Sequence, residues 1–134
     1  MEMRTRLAVL AAAGALVIGA APATAQQKQT PPADVTEASI AKGKEIFGGT
    51  GMCYACHGSE AKGAVGPNLT DDEWIHSKGT YEEIVKQVLH GVTAEESKSK
   101  VPMPPKGGSS ISDEDVKAVS AYVWSLSRKA AAGS

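Results

Sequence analysis

The sequence predicts an all-α fold. Three segments place apolar residues at helical spacing, and each begins with a residue that can cap a helix, whereas no run alternates apolar and polar residues as a half-buried strand does. The chain has 134 residues and a formal net charge of −1, so it is long enough for one small domain. Nothing in this charge balance suggests binding to nucleic acid.

The N-terminal segment has the pattern of a secretory signal peptide. Arg4 and Arg6 precede an apolar run over residues 7–20, and Ala23-Thr24-Ala25 supplies small residues for cleavage. A membrane anchor is the alternative, but the run is shorter than the roughly 20 apolar residues that span a bilayer. We therefore predict a signal peptide over residues 1–25, export to the periplasm, and no membrane span after cleavage.

The mature chain opens with a polar, proline-containing stretch, so residues 26–35 are predicted to be a flexible segment. The first helix is predicted to begin near Asp34, because Glu37 lies three residues later as in a capping box. It is predicted to end at Phe47, before Gly48-Gly49.

Two further helices are predicted. One starts after Thr80, which forms a capping box with Glu83, and stops at Gly91. The last starts after Ser112 and runs to about Ser127 with valines and a leucine on one side. These limits give a folded domain over residues 36–128 and a C-terminal tail over 129–134.

The segment Cys53-Tyr54-Ala55-Cys56-His57 contains both cysteines of the chain and a histidine directly after the second. This spacing is typical of a c-type haem attachment site. In such a site each thiol adds to one haem vinyl group, and the adjacent histidine becomes an axial ligand of the iron. The motif therefore predicts one haem c, bound covalently through Cys53 and Cys56, with His57 as an iron ligand.

A disulfide and a zinc site are the two alternative uses of these cysteines. An oxidising compartment favours a disulfide, but a redox Cys-x-x-Cys usually accompanies a βαβ pattern that this sequence lacks. Zinc would need two histidines in addition to the cysteines, and His76 and His90 are much further apart than the histidines of a zinc finger. Haem attachment is the interpretation that the spacing favours.

With these residues in view, the chain resembles the class I cytochrome c family from about Thr36 to Ser127. The resemblance implies helices and loops wrapped around one covalently attached haem. In this family a glycine and an aromatic residue of the first helix pack across the last helix against another aromatic residue. Gly43, Phe47 and Tyr122 match those positions.

Met103 is the best candidate for the second axial ligand. Met1 and Met3 leave with the signal peptide, and Met52 is adjacent to the attachment motif, too close to reach the other haem face. Met103 lies in a proline-rich loop over residues 101–108, which resembles the loop that carries the distal ligand in the family. A buried methionine without a ligand role is the alternative. His76, Lys78 and His90 are weaker candidates, in helical or capping contexts.

The resemblance also implies supporting residues. In the family a proline carbonyl accepts a hydrogen bond from the proximal histidine, and Pro67 matches that proline. The stretch Asn68-Leu69-Thr70 with Trp74 resembles the c-haem domains of bacterial haem-copper oxidases, where a tryptophan lies near the propionates. Ordinary core packing is the alternative role for Trp74.

The function implied is one-electron transfer between redox proteins, without catalysis by this chain. A dehydrogenase or another cytochrome would be the donor, and a terminal oxidase or another cytochrome the acceptor; a free carrier and an oxidoreductase subunit remain open. A gas sensor or peroxidase-like haem protein with a labile sixth ligand is the alternative. Lys98, Lys100 and Lys106 could steer an acidic partner, or belong to an ordinary solvated surface.

Overall fold

The structure is a computed structural model that describes residues 30–132, with side chains described to Lys129. The predicted signal peptide, the first residues of the predicted flexible segment and the end of the predicted tail lie outside the described residues. The described chain forms four α-helices and one 3₁₀ turn: α1 Glu37–Gly48, α2 Tyr54–His57, α3 Tyr81–His90, the turn Pro105–Gly108, and α4 Asp113–Ala132. The all-α prediction is confirmed.

Helix α1 begins later than predicted. Its N-cap is Thr36, which forms a capping box with Ser39: the Ser39 amide donates to Thr36 Oγ1 at 3.1 Å and the Thr36 amide donates to Ser39 Oγ at 2.9 Å. The predicted box between Asp34 and Glu37 is wrong. Asp34 lies in a turn that directs Val35 into the core, with the Val35 amide bonded to Pro32 O at 2.9 Å, so the helix begins only after Val35.

Helices α1 and α4 cross in close contact. A Cβ on Gly43 would overlap the Ala118 carbonyl group and lie 2.8 Å from Tyr122 Cβ, so only glycine fits at this position. One turn later, the Phe47 ring meets the Tyr122 ring edge to face, with centroids 5.5 Å apart and an interplanar angle of 67°. The predicted packing of Gly43 and Phe47 against Tyr122 is confirmed.

Helix α3 begins and ends where the sequence predicts. Thr80 and Glu83 form the predicted capping box, and Gly91 follows the last helical residue with a φ of 73°, a conformation that favours glycine. Tyr81 and Ile84 are buried, and the helix packs against α4. Ile84, Gln87 and Val88 of this helix also line the cavity described below.

Helix α4 contributes six of the 13 buried apolar residues in the described part of the chain, more than any other helix. Ser112 caps it as predicted, with the Asp115 amide donating to Ser112 Oγ at 3.1 Å. The helix extends to Ala132, beyond the predicted end at Ser127, because the residues after Ser127 are good helix formers and include no breaker. The Arg128 guanidinium donates to Gly79 O at 3.0 Å, which attaches the C-terminal part of α4 to the segment before α3.

No helix of residues 30–132 is long and apolar enough to cross a membrane.

Candidate haem site

The cysteine motif forms the short helix α2. After α1 the chain reverses through Gly51, whose amide donates to Ile46 O at 2.9 Å, and through Met52, which has a φ of 53°. The His57 amide then donates to Cys53 O at 3.0 Å. One helical turn thus brings both thiols and the imidazole to the same cavity. Both cysteines are free thiols, so the structure gives no support for the disulfide alternative.

His57 is buried, with 8% of its surface exposed, and its Nδ1 lies 2.9 Å from Pro67 O. A carbonyl oxygen can only accept, so Nδ1 carries the proton and Nε2 keeps its lone pair for a metal. Burial lowers the pKa of His57, and the bond to Pro67 opposes that shift only in part. The ring is therefore neutral at pH 7, the form in which imidazole binds iron, and the predicted bond to Pro67 is confirmed.

The loop after α2 places the Pro67 carbonyl. The Gly63 amide donates to His57 O and the Gly66 amide donates to Cys56 O, both at 2.8 Å. A Cβ on Gly66 would lie 3.0 Å from the Cε1 and Nδ1 atoms of His57, tighter than normal packing allows. Glycine at position 66 lets the loop pass beside the ring, whereas a larger residue would force the ring or the loop to shift by a few tenths of an ångström.

A cavity of about 410 Å³ brings the predicted site residues together: Cys53, Cys56, His57 and Met103 all line it. Its walls are otherwise mainly apolar, which suits a large flat macrocycle. Burial in this wall raises the pKa of the Cys53 thiol. The apolar side chains come from every major element of the fold: Phe47, Val65, Leu69, Ile84, Val88, Val119 and Val123.

Met103 is held by a contact that the sequence did not predict. It forms an isolated antiparallel bridge with Val92, in which the Val92 amide donates to Met103 O at 2.8 Å and the Met103 amide donates to Val92 O at 2.9 Å. Gly91, which precedes Val92, lies directly against the same backbone. A Cβ on Gly91 would overlap Met103 O, so a side chain does not fit there. The end of α3 therefore fixes the backbone from which the Met103 side chain reaches the cavity.

Trp74 and the weaker candidates for the second axial ligand lie in different parts of the structure. Trp74 and His76 line the cavity, whereas His90 is exposed and its ring bonds to Lys86 O at 2.8 Å. The Lys78 amide bonds to Glu83, which places that lysine at the start of α3. Among residues 30–132 no group of three or more His, Cys, Asp and Glu side chains is placed to hold a metal ion.

The three lysines near Met103 differ in environment. Lys98 lines the cavity, and Lys100 is exposed with its ammonium 3.3 Å from Glu95 O. Lys106 instead forms an ion pair with Asp113 at 2.8 Å, and its side chain is only 29% exposed. These lysines do not form one uniform basic rim.

The donor set fits haem c. Two thiols separated by two residues can form the two thioethers, a neutral imidazole can bind iron through Nε2, and a thioether reaches the same apolar cavity. Gly66 packs against the His57 ring and Gly91 packs against the Met103 carbonyl, so the backbone lies close to both residues.

Comparison with known proteins agrees with this chemistry. Residues 38–123 match the family described as cytochrome c oxidase, cbb3-type, subunit III. The chain is 38% identical over 90 residues to subunit CcoP of Rubrivivax gelatinosus and 39% identical over 90 residues to subunit FixP of Bradyrhizobium sp. strain ORS 278. These alignments cover 66% and 65% of this chain, but 26% and 30% of the relatives.

A longer alignment to CcoP of Azospirillum sp. strain B510 covers 97% of this chain and 45% of that protein, at 31% identity. The chain thus spans between about a quarter and a half of the length of these curated relatives.

A solved structure, cytochrome CL from Methylophaga aminisulfidivorans, superposes with a TM-score of 0.56 over 70% of this chain and 59% of that chain. At 22% identity it confirms the cytochrome c fold and nothing finer. The family match extends over more than half of the chain and includes both the attachment motif and Met103. The protein therefore belongs to the family of cytochrome c oxidase, cbb3-type, subunit III, and is a c-type cytochrome whose cofactor is covalently bound haem c.

Proposed function

We propose that this protein is a mono-haem one-electron carrier whose iron is bound by His57 and Met103. One observation carries the proposal: the same mainly apolar cavity is lined by both cysteines, by a buried neutral imidazole and by a methionine whose amide and carbonyl are both bonded to Val92. When bound, the haem supplies a reversible ferrous/ferric couple.

The residues of the chain have distinct parts in this proposal. Cys53 and Cys56 hold the macrocycle through two thioethers. His57 presents Nε2 while Pro67 O accepts the proton of Nδ1, which fixes the ring orientation and makes the imidazole a better donor. Met103 supplies a soft thioether, which favours ferrous iron and raises the reduction potential relative to a second histidine.

Six-coordination accounts for a carrier without catalysis of its own. If His57 and Met103 both bind the iron, these two side chains would leave no coordination position for a substrate or for oxygen. The mainly apolar walls exclude water and limit the rearrangement that accompanies a change of charge. Such a site exchanges electrons with another redox protein through close approach.

The partners proposed are redox proteins. The curated relatives are subunits of cbb3-type cytochrome c oxidases, which makes an oxidase a reasonable acceptor and a dehydrogenase or another cytochrome a reasonable donor. Because the sequence begins with a signal-peptide pattern, we place the mature protein in the periplasm, with residues 1–25 removed.

The test is the spectrum of the reduced holoprotein before and after addition of carbon monoxide, with Met103→Ala and Met52→Ala variants. Met52 is a matched control because it also lines the cavity but precedes the attachment motif. We expect no change in wild type and in Met52→Ala, and a carbonyl spectrum in Met103→Ala. A carbonyl spectrum in the wild type would instead favour a ligand-binding or catalytic haem.

A further inference from the structure

Lys106 has a strained backbone and a side chain directed into the fold. It lies three residues after Met103 with a φ of 55°, a left-handed conformation that few non-glycine residues adopt. Its Nζ lies 3.0 Å from Ile111 O and 2.8 Å from Asp113 Oδ1. Ile111 is a core residue and Asp113 is the first residue of α4, so the ammonium joins the turn after Met103 to the start of that helix.

The turn itself is closed by short hydrogen bonds. The Gly107 amide donates to Pro104 O at 2.9 Å, and Ser109 donates to Lys106 O through both its amide, at 3.1 Å, and its hydroxyl, at 2.7 Å. Two consecutive prolines, Pro104 and Pro105, restrict the backbone between Met103 and this turn. We therefore expect a movement of the turn to move the Met103 backbone as well.

Met103 is thus fixed from two directions. On its N-terminal side its backbone is bridged to Val92 at the end of α3. On its C-terminal side the proline pair leads to the turn that Lys106 fastens to α4. These two attachments restrict movement of the Met103 backbone, from which the thioether extends into the cavity.

We propose that Lys106 is a positioning residue for Met103: its ammonium, bound to Ile111 O and Asp113, fastens the Met103 turn to α4 and so keeps the thioether on the iron. This inference rests on the proposed ligation by Met103. It also gives Lys106 a different part from partner steering, because a lysine that is bound within its own chain contributes little free charge at the surface.

The test is binding of imidazole to the ferric holoprotein at pH 8, where the ligand is neutral and electrostatic effects on its approach are small. The variants are Lys106→Met and Lys100→Met. Lys100 is a matched control: it is a lysine directly before the proline-rich loop, its φ is 61°, and its ammonium donates to Glu95 O at 3.3 Å rather than to α4. Both substitutions remove one positive charge and keep a long apolar stem.

We expect Lys106→Met to bind imidazole about tenfold more tightly than wild type, because the apparent affinity scales with the fraction of protein in which Met103 has left the iron. Lys100→Met should remain within about twofold of wild type. Lys106→Gly is a second variant that removes the side chain. Glycine adopts a positive φ without strain, so this variant is expected to fold even if Lys106→Met does not. It should bind more tightly as well.

Met103→Ala separates the two proposals. If it binds imidazole no better than wild type, Met103 is not the ligand and the proposed function fails. If it binds far more tightly while Lys106→Met and Lys106→Gly match wild type, ligation stands and the positioning role of Lys106 is overturned. An equal gain in Lys100→Met and Lys106→Met would also overturn it, since charge alone would then explain the effect.

Discussion

Substitution of Gly43 by alanine is the sharpest test of the crossing between α1 and α4. A Cβ at this position would lie 2.8 Å from Tyr122 Cβ and would overlap the carbonyl group of Ala118. Tyr122 Cβ is bonded directly to its own backbone, and the Ala118 carbonyl is part of the backbone in the middle of a helix, so neither obstacle can rotate away. The two helices would therefore have to move apart.

The expected magnitude combines two opposing effects. Alanine in a helix interior is favoured over glycine by roughly 0.5–1 kcal/mol, and overpacking of a well-packed core costs about 1–3 kcal/mol, or more when no side chain can rotate away. Because the obstacle here is backbone, we take the upper end of that cost and expect a net loss of about 2 kcal/mol. For a domain of this size that corresponds to a fall in Tm of roughly 10 °C.

The assay is urea unfolding of the ferric holoprotein, followed by circular dichroism, with Gly48→Ala as the control. Gly48 lies in the same helix and a Cβ there would meet nothing within 4 Å, so alanine should leave stability unchanged or raise it by up to about 1 kcal/mol. A Gly43→Ala protein as stable as wild type would refute the argument that the crossing requires glycine.

Three other substitutions test the start of α3 and the two proposed iron ligands, His57 and Met103. Two backbone amides that donate to Glu83 are the first cause of its lowered pKa, so its carboxylate stabilises the fold above the ordinary pKa of glutamate and this contribution is lost as pH falls through the lowered value. Glu83→Gln should therefore unfold more easily in urea at pH 7, and its stability should depend less on pH between about 5 and 3. Gly66→Ala should displace the His57 ring and change the reduction potential measured by spectroelectrochemistry. Gly91→Ala, at a φ of 73° and against Met103 O, should weaken the proposed bond of Met103 to the iron and increase imidazole binding by the ferric protein.

Each of these three predictions has an outcome that would contradict it. Equal pH dependence in Glu83→Gln and wild type would show that the capping carboxylate does not contribute to acid sensitivity. An unchanged potential in Gly66→Ala would mean that the loop can move without affecting His57. Wild-type imidazole affinity in Gly91→Ala would show that the packing of Gly91 does not determine the position of Met103.

Local patterns were sufficient for much of the site. The spacing from Cys53 to His57 depends on one helical turn, and the capping box of Thr80 depends on four consecutive residues, so both can be predicted from neighbouring letters. The start of α1 could not be chosen in this way, because Asp34 and Thr36 are both good capping residues. Burial of Val35 decides between them, and burial is a property of the folded chain.

Contacts between distant segments were the features that could not be predicted. The bridge between Val92 and Met103 joins residues with no pattern in common, and the role of Lys106 depends on where α4 begins. From sequence alone Lys106 is one of three lysines near a candidate ligand. Only the fold separates a lysine bound to a core carbonyl from one that faces solvent.

The bridge between Val92 and Met103 has a consequence for protein engineering. Because two hydrogen bonds join the ends of the segment between these residues, its length can change without altering where its ends lie. Lengthening a closed loop costs little free energy, about 0.6 kcal/mol for each doubling. A short peptide inserted beside Ala94, which is exposed and does not line the cavity, could attach the cytochrome to an electrode or to a fused enzyme while the two ends of the segment keep their spacing.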